Sequence, residues 1–214
     1  IAALCRERGI LTLFDGAQAV GQFPLDLPGI GGDFYTGNCH KWLLGPKGTG
    51  FLYVRRDSLD ELTPTFVGAG TGHFSDEDGL EPLDTASRFE YGTRDFGRYG
   101  GIEATIEWHH GLGMDREVVR MRHLTDYLRD RLCPLAGITV HTPRSWEDSS
   151  AMTTFSVPGV SGVEVFHELR EQRAVKLRIV GEVDGNRIST AVFNTEEEID
   201  RLISLLHPYA KAAN

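Results

Sequence analysis

The sequence predicts an α/β fold with a second, smaller α/β unit in its C-terminal part. Two observations predict it: short apolar runs alternate with helical patterns in the first half, and after a pair of long helical patterns new strands and helices resume. We expect residues 1–98 to form part of a large domain with a functional loop, residues 99–134 to be connecting helices, and residues 135–214 to be a small domain.

The elements of the first half follow from periodicity and from glycine positions. Apolar residues at helical spacing predict a helix over residues 1–9, ended by Gly9. Because this pattern opens inside a helix, we expect a preceding segment that is absent from this chain. Short runs rich in β-formers and bounded by glycine predict the next elements, which are strands at 11–15, 33–36 and 50–55 and a short helix at 15–21.

A long irregular stretch follows these elements. From Pro64 to Arg98 the sequence mixes glycine, proline and acidic residues, so we expect a functional loop without regular structure. Two long helices follow at 99–112 and 115–132, with Asp115 as the N-cap of the second. The small unit is expected to contain strands at 138–141, 152–157, 176–180 and 187–190 and helices at 161–171 and 195–209, the last opened by a Thr195–Glu198 capping box.

Composition and charge exclude several classes of function. The net charge of −9 argues against a nucleic-acid-binding surface, and no apolar run approaches the roughly 20 residues that a membrane helix needs. Three cysteines without a CxxC pair favour a reducing cytoplasm over a disulfide framework or a zinc site. His109 and His110 lack a third ligand, so no metal site is predicted.

Asp15 lies at the carboxyl end of a predicted strand, where α/β sheets bind ligands. Its simplest role is to cap the next turn, but Gln18, three residues later, would share its face if that turn is helical. The two side chains could therefore meet a ligand together.

Lys41 follows the next strand, close to Asn38 and His40, whose side chains can donate hydrogen bonds to a phosphate. A lysine forms an imine only when its amine is unprotonated, and burial beside a cation favours that state. The Gly45–Gly50 segment looks like a phosphate loop, but it lacks the spacing of a nucleotide-binding motif.

The ordered combination is more specific than any of these residues alone. Asp-Gly-Ala-Gln at 15–18, Asn-Cys-His-Lys-Trp at 38–42, Gly-Pro-Lys-Gly at 45–48 and the final Arg-Ile-Ser at 187–189 resemble the class V aminotransferase family. The similarity is strongest to its isopenicillin N epimerase-like and cysteine desulfurase-like branches. It implies the C-terminal half of a fold-type I enzyme that uses pyridoxal 5'-phosphate: the last part of the large domain and a small α+β domain.

The resemblance also implies roles for individual residues. Lys41 would carry the cofactor as an imine and later move the Cα proton of an amino-acid substrate. Asp15 would pair with the pyridinium nitrogen, which lets the ring accept electrons. Gln18 would bind the phenolic oxygen of the ring.

Four further residues would bind anionic groups. The resemblance implies that Asn38 and His40 contact the cofactor phosphate, although many relatives have serine at the position of Asn38. Thr93 would reach the phosphate of a neighbouring subunit, which implies a homodimer with shared sites. Arg187 would bind the substrate carboxylate, and the alternative is a surface ion pair on an edge strand.

The reaction is narrowed by one missing residue type. Cysteine desulfurases of this family carry a mobile cysteine in the stretch that corresponds to residues 174–185, and this chain has none there. The resemblance therefore favours an epimerase or a carbon–sulfur lyase, with transamination also open and Tyr91 as a weak candidate for a second acid. The alternatives are a desulfurase-like enzyme and an incomplete fragment that serves as a binding module.

Overall fold

The computed structural model describes residues 1–77 and 79–212. The chain divides into two compact units, Ile1–Met114 and Asp115–Asn214. Residues 99–134 are predicted to be connecting helices, whereas the boundary between the two units lies between the two helices of that segment. Gly113 separates them with a φ of 87°, a left-handed value that favours glycine.

The first unit is built around a three-stranded sheet whose strand order is β1-β2-β3. β1 and β2 are parallel, while β2 and β3 are antiparallel. All three strands lie where the sequence predicts strands, and the first helix lies where the sequence predicts a helix. The elements are α1 (Ala2–Glu7), β1 (Leu13–Asp15), α2 (Leu27–Ile30), β2 (Phe34–Asn38) and β3 (Gly50–Val54).

The predicted short helix at residues 15–21 is wrong, because this segment forms consecutive turns. The N–H groups of Ala19 and Val20 both donate to the carbonyl of Gly16, at 2.9 and 3.2 Å. The N–H of Ala17 donates to the Asp15 carboxylate at 2.9 Å. Such local side-chain bonds offer the backbone an alternative to a helix, and this explains the difference.

The stretch from Pro64 to Arg98, expected to lack regular structure, contains a β-hairpin. β4 (Gly72–Ser75) pairs antiparallel with β5 (Gly79–Pro82). Gly79 has a φ of 75°, which suits the turn between the strands. A 3₁₀ turn at Ala86–Phe89 follows, and α3 (Phe96–Leu112) begins three residues before its predicted start.

The Asp33 carboxylate is hydrogen-bonded to residues just before β1 and just after β3. Its carboxylate accepts hydrogen bonds from the Thr12 N–H and hydroxyl at 2.8 and 2.9 Å, from the Ser58 hydroxyl at 2.7 Å and from Arg55 at 2.5 Å. The hydrogen bond from Ser58 has the largest effect among several that hold the pKa of Asp33 well below its usual range. Burial of the carboxylate opposes them. This buried charge is therefore fully satisfied.

The second unit packs helices against an antiparallel sheet with the order β6-β7-β9-β8. Its core contains buried residues of α4, α6 and the sheet, among them Leu124, Leu128, Phe155 and Leu206. The elements are α4 (Met114–Leu132), β6 (Thr139–Val140), β7 (Met152–Ser156), α5 (Gly162–His167), β8 (Arg178–Val180), β9 (Gly185–Ser189) and α6 (Glu196–Ala212).

Three helix ends in this unit can be compared with the sequence analysis. The capping box is confirmed, since the Glu198 N–H donates to the Thr195 hydroxyl and the Thr195 N–H donates to the Glu198 carboxylate. Asp115 is not an N-cap, because α4 already begins at Met114. The predicted helix at 161–171 is an α-helix only to His167 and continues as a π-helical turn over Glu168–Gln172. Within the described residues, no helix is both long and apolar enough to span a bilayer.

Candidate active site

The candidate site lies where β1 and β2 end. Asp15 is the last residue of β1 and Asn38 the last residue of β2. Because the two strands are parallel, their carboxyl ends lie at the same edge of the sheet. The turn after β1 also starts beside β2, since the Gly16 N–H donates to the Thr36 carbonyl at 2.8 Å. Lys41 is three residues after Asn38, so the loop that carries Lys41 starts at this edge of the sheet.

The loop that carries Lys41 is held by its own backbone. The Cys39 N–H donates to the Thr49 carbonyl at 3.1 Å, and the Gly45 N–H donates to the Cys39 carbonyl at 2.6 Å. The Leu44 N–H donates to the carbonyl of Lys41 itself at 3.1 Å. Leu44 has a φ of 61°, unusual for a residue other than glycine, which shows how tightly the loop turns here. The backbone of Lys41 is thereby fixed.

A side-chain contact joins the Lys41 loop to the turn after β1. The Trp42 indole N–H donates to Oε1 of Gln18 at 2.9 Å. An indole nitrogen can only donate, so this contact assigns the oxygen of the Gln18 amide and leaves its NH₂ group as the donor for a ligand. Gly21 lies against the same loop: a Cβ there would come within 2.3 Å of the Leu43 nitrogen.

Asp15, Asn38 and His40 differ in their exposure. Asp15 and His40 are exposed, and the Asp15 carboxylate accepts the Ala17 N–H. The Oδ1 atom of Asn38 is buried and has no hydrogen-bond partner among the described residues. The two ends of an amide are interchangeable by a rotation of the side chain, so Asn38 can offer either a donor or an acceptor to a bound group.

Cys39 lies two residues before Lys41 in the sequence, but its side chain is buried. Its side chain is 3% exposed, and burial raises the pKa of its thiol, against a smaller opposing effect from Thr49. A buried thiol with a raised pKa is a poor nucleophile.

His109 supports the Lys41 loop. Its Nε2 atom lies 2.9 Å from the Leu43 carbonyl. Within residues 1–77 and 79–212 there is no group of three His, Cys, Asp or Glu side chains arranged to hold a metal ion. The sequence does not predict the supporting contacts of Trp42, Gly21 and His109. Gly21 alone offers a signal, because its φ of 88° is a left-handed value that favours glycine.

The segment around Thr93 is also exposed. Thr93 itself has no hydrogen bond to another described residue. Tyr91 is engaged, because its hydroxyl accepts a hydrogen bond from Arg94 at 2.7 Å and the Arg94 guanidinium lies 3.9 Å from the centre of its ring. Phe66 packs on the same ring at 5.9 Å.

Arg187 belongs to the second unit, in the middle of β9. Its Nε is buried and has no hydrogen-bond partner in the part of the chain that the structure describes. Burial lowers the pKa of Arg187, and the positive charge of Arg178 lowers it further. A buried guanidinium nitrogen without a partner carries a desolvation cost, which a bound anion would offset.

The family follows from comparison with known proteins. The family model described as aminotransferase class V matches residues 1–202. The chain belongs to the aminotransferase class-V family. Isopenicillin N epimerase of Amycolatopsis lactamdurans is 36% identical over 219 residues, which are 96% of this chain and 54% of that protein. The family predicted from the sequence motifs is thus confirmed.

Solved structures of similar proteins confirm the α/β fold. An apo cysteine desulfurase from Thermococcus onnurineus matches with a TM-score of 0.88 at 24% identity, over 99% of this chain and 55% of that one. The cystine C–S lyase C-DES, in complex with its product cysteine persulfide, matches with a TM-score of 0.85 at 27% identity, over 96% and 55%. A further C-DES structure holds glycine covalently linked to its pyridoxal-phosphate cofactor.

The chain spans about half the length of the curated relatives it matches. Class V aminotransferases use pyridoxal phosphate, so the cofactor expected from the sequence is the cofactor of this family.

Proposed function

We propose that the whole protein is a pyridoxal-phosphate enzyme that removes the Cα proton of an amino acid, as an epimerase or a carbon–sulfur lyase. One observation carries the proposal: the Trp42–Gln18 hydrogen bond holds the Lys41 loop against the turn that begins with Asp15. The lysine loop, the carboxylate and an amide donor are thereby assembled at one edge of a sheet. In this proposal the chain corresponds to the C-terminal half of the enzyme.

The residues at this edge fit the cofactor. The amine of Lys41 would attach it covalently, and the exposed Asp15 carboxylate would pair with its ring nitrogen. The Gln18 NH₂ group would donate to the ring oxygen. Asn38, whose amide has a buried and unpaired oxygen, and the exposed His40 would bind the phosphate. The bound cofactor supplies an electron sink for the negative charge that forms at the substrate Cα.

The chain's own residues handle protons and position the substrate. The Lys41 amine would accept the Cα proton as a general base. Return of the proton to the same face restores the original configuration, so epimerisation also needs a second acid on the opposite face, whereas expulsion of a sulfur leaving group does not. Asp15 holds a proton on the ring nitrogen by its negative charge. Arg187 would bind the substrate carboxylate through two parallel N–H···O hydrogen bonds, which would also satisfy its buried Nε.

Formation of a persulfide on a cysteine of the enzyme is the less favoured reaction. Residues 174–185, which include β8, contain no cysteine, and Cys39 is buried with a raised pKa. The similar proteins include an isopenicillin N epimerase and a cystine C–S lyase, which supports these two reactions as candidates. We further propose a homodimer in which the exposed Thr93 binds the cofactor phosphate of the neighbouring subunit, in the cytoplasm.

The test uses the full-length protein loaded with pyridoxal phosphate. Amino acids are incubated with it in deuterated water, and exchange of the Cα proton is followed by NMR. We expect exchange that is lost in Lys41→Ala and kept in the control Lys47→Ala. A change of configuration in the recovered amino acid identifies an epimerase, and release of a thiol with a keto acid identifies a lyase. Absence of exchange with every amino acid would favour the alternative role, a binding module, and contradict the proposal.

A further inference from the structure

Two arginines face each other on the sheet of the second unit. Arg178 of the edge strand β8 and Arg187 of β9 are direct partners in the antiparallel register. Side chains at such positions lie on the same face, with Cβ atoms about 5 Å apart. Ile188, the next residue along β9, is buried in the core, so the two arginines are on the opposite face of the sheet.

This pairing is unfavourable unless something else binds there. Like charges placed directly opposite in a ladder destabilise a sheet. Neither guanidinium makes a salt bridge to a carboxylate within residues 1–77 and 79–212. Thr154, which pairs with Arg187 on its other side, is neutral. An acidic chain with a net charge of −9 thus keeps two uncompensated positive charges side by side.

Arg178 and Arg187 differ in their exposure to solvent. Arg187 has a buried, unpaired Nε, while Arg178 is exposed at the sheet edge. One carboxylate can satisfy the inner guanidinium but neutralises only one of the two charges. A ligand with two carboxylates, one on each arginine, neutralises both and forms two charge-assisted contacts.

We propose that Arg178 is a specificity-determining residue that binds a second carboxylate, so that the substrate is a dicarboxylic amino acid. The inference rests on the proposed function, in which Arg187 takes the α-carboxylate. Arg178 contacts the side-chain carboxylate of the substrate and selects by charge. Amino acids whose side chain is neutral leave one of the paired arginines uncompensated and bind more weakly.

The test compares each acid with its own amide, because the pair has the same shape and differs in one charge. Binding of glutarate and glutaramate to the full-length holoenzyme is measured by calorimetry, which needs no reaction. Exchange of the Cα proton is then measured with glutamate and glutamine. Arg178→Gln is compared with Arg116→Gln, which removes an exposed arginine of α4 that has no ion pair among the described residues.

We expect the preference for the acid over the amide to fall about tenfold or more in Arg178→Gln and less than twofold in Arg116→Gln. Equal binding of glutarate and glutaramate to the unsubstituted protein would overturn the inference, as would an unchanged preference in Arg178→Gln. Arg178-dependent binding of glutarate without any proton exchange would instead leave this binding site established and overturn the proposed function.

Discussion

Arg129 and Arg187 are two arginines of the same unit with opposite hydrogen-bonding states. Burial lowers the pKa of both. Arg129 is fully buried, yet its donors reach the Thr153 hydroxyl, the Ser149 hydroxyl and the carbonyls of Ser150 and Met152, at 2.9–3.1 Å. The Nε of Arg187 has no such partner within the described chain.

The difference separates a structural arginine from a binding arginine. The acceptors around Arg129 would be left unpaired without it, so it stabilises the fold. Arg187 leaves nothing unpaired when it is removed, and its own charge is unfavourable until an anion binds. Burial alone therefore does not distinguish the two roles, but hydrogen-bond satisfaction does.

The largest expected effect is on stability. Arg129→Met should lower the free energy of unfolding by about 3–5 kcal/mol, since it removes the donors of several buried oxygen atoms. Urea denaturation of the full-length protein measures this, with Arg116→Met as the exposed control. A loss below about 1 kcal/mol would show that Arg129 is not the structural member of the pair.

Arg187→Met should have the reverse profile. We expect its unfolding free energy without ligand to stay within about 1 kcal/mol of the parent protein, while kcat/KM for amino acids falls by about 30-fold or more. Thermal unfolding with and without substrate measures both parts, because substrate should no longer stabilise the variant. A large loss of stability in the ligand-free protein would place Arg187 with Arg129.

In the first unit, Asp33 is a buried anion whose hydrogen-bonding capacity is satisfied, as that of Arg129 is in the second unit. Its pKa is lower in the fold than in the unfolded chain, so its stabilising effect is present above the unfolded pKa of about 3.9 and is lost as the pH falls through the folded pKa. Stability should therefore decrease as the pH drops below about 4, and the decrease should be shallower in Asp33→Asn. Denaturation curves across this pH range test it, and equal slopes in the two proteins would contradict it.

The smallest effect concerns a neutral pair. Trp42→Phe removes the hydrogen bond to Gln18 and should cost about 1 kcal/mol of stability. Because Gln18 would lose its fixed orientation, we also expect a shift of the cofactor absorbance band, and Trp108→Phe at an exposed position is the control. An unshifted band in Trp42→Phe would show that the contact does not orient Gln18 toward the cofactor.

The positions of Asp15 and Lys41 could be predicted because strand ends follow from short apolar runs bounded by glycine. The turn after Asp15 could not, since a single hydrogen bond that its carboxylate accepts from the Ala17 N–H decides between turn and helix. The hairpin β4–β5 was missed for a related reason: its four-residue strands are too short and too polar to show alternation.

Satisfaction of buried groups is also invisible in the sequence. Nothing in the spacing distinguishes Arg129 from the other arginines of α4, because its partners come from residues 149–153. The pairing of Arg178 with Arg187 depends on strand register, which the intervening residues 181–185 set through a 3₁₀ turn with Asp184 at a φ of 43°. Motif resemblance pointed to Arg187 but not to its neighbour.

The most direct measurement of the central claim is to locate the cofactor on the chain. The full-length protein is incubated with pyridoxal phosphate, reduced with borohydride, digested and analysed by mass spectrometry. The sequence has four lysines, at 41, 47, 176 and 211. We expect the pyridoxyl group on the peptide containing Lys41 and its loss in Lys41→Ala. Labelling of another lysine, or unchanged labelling in that variant, would contradict the assignment of Lys41.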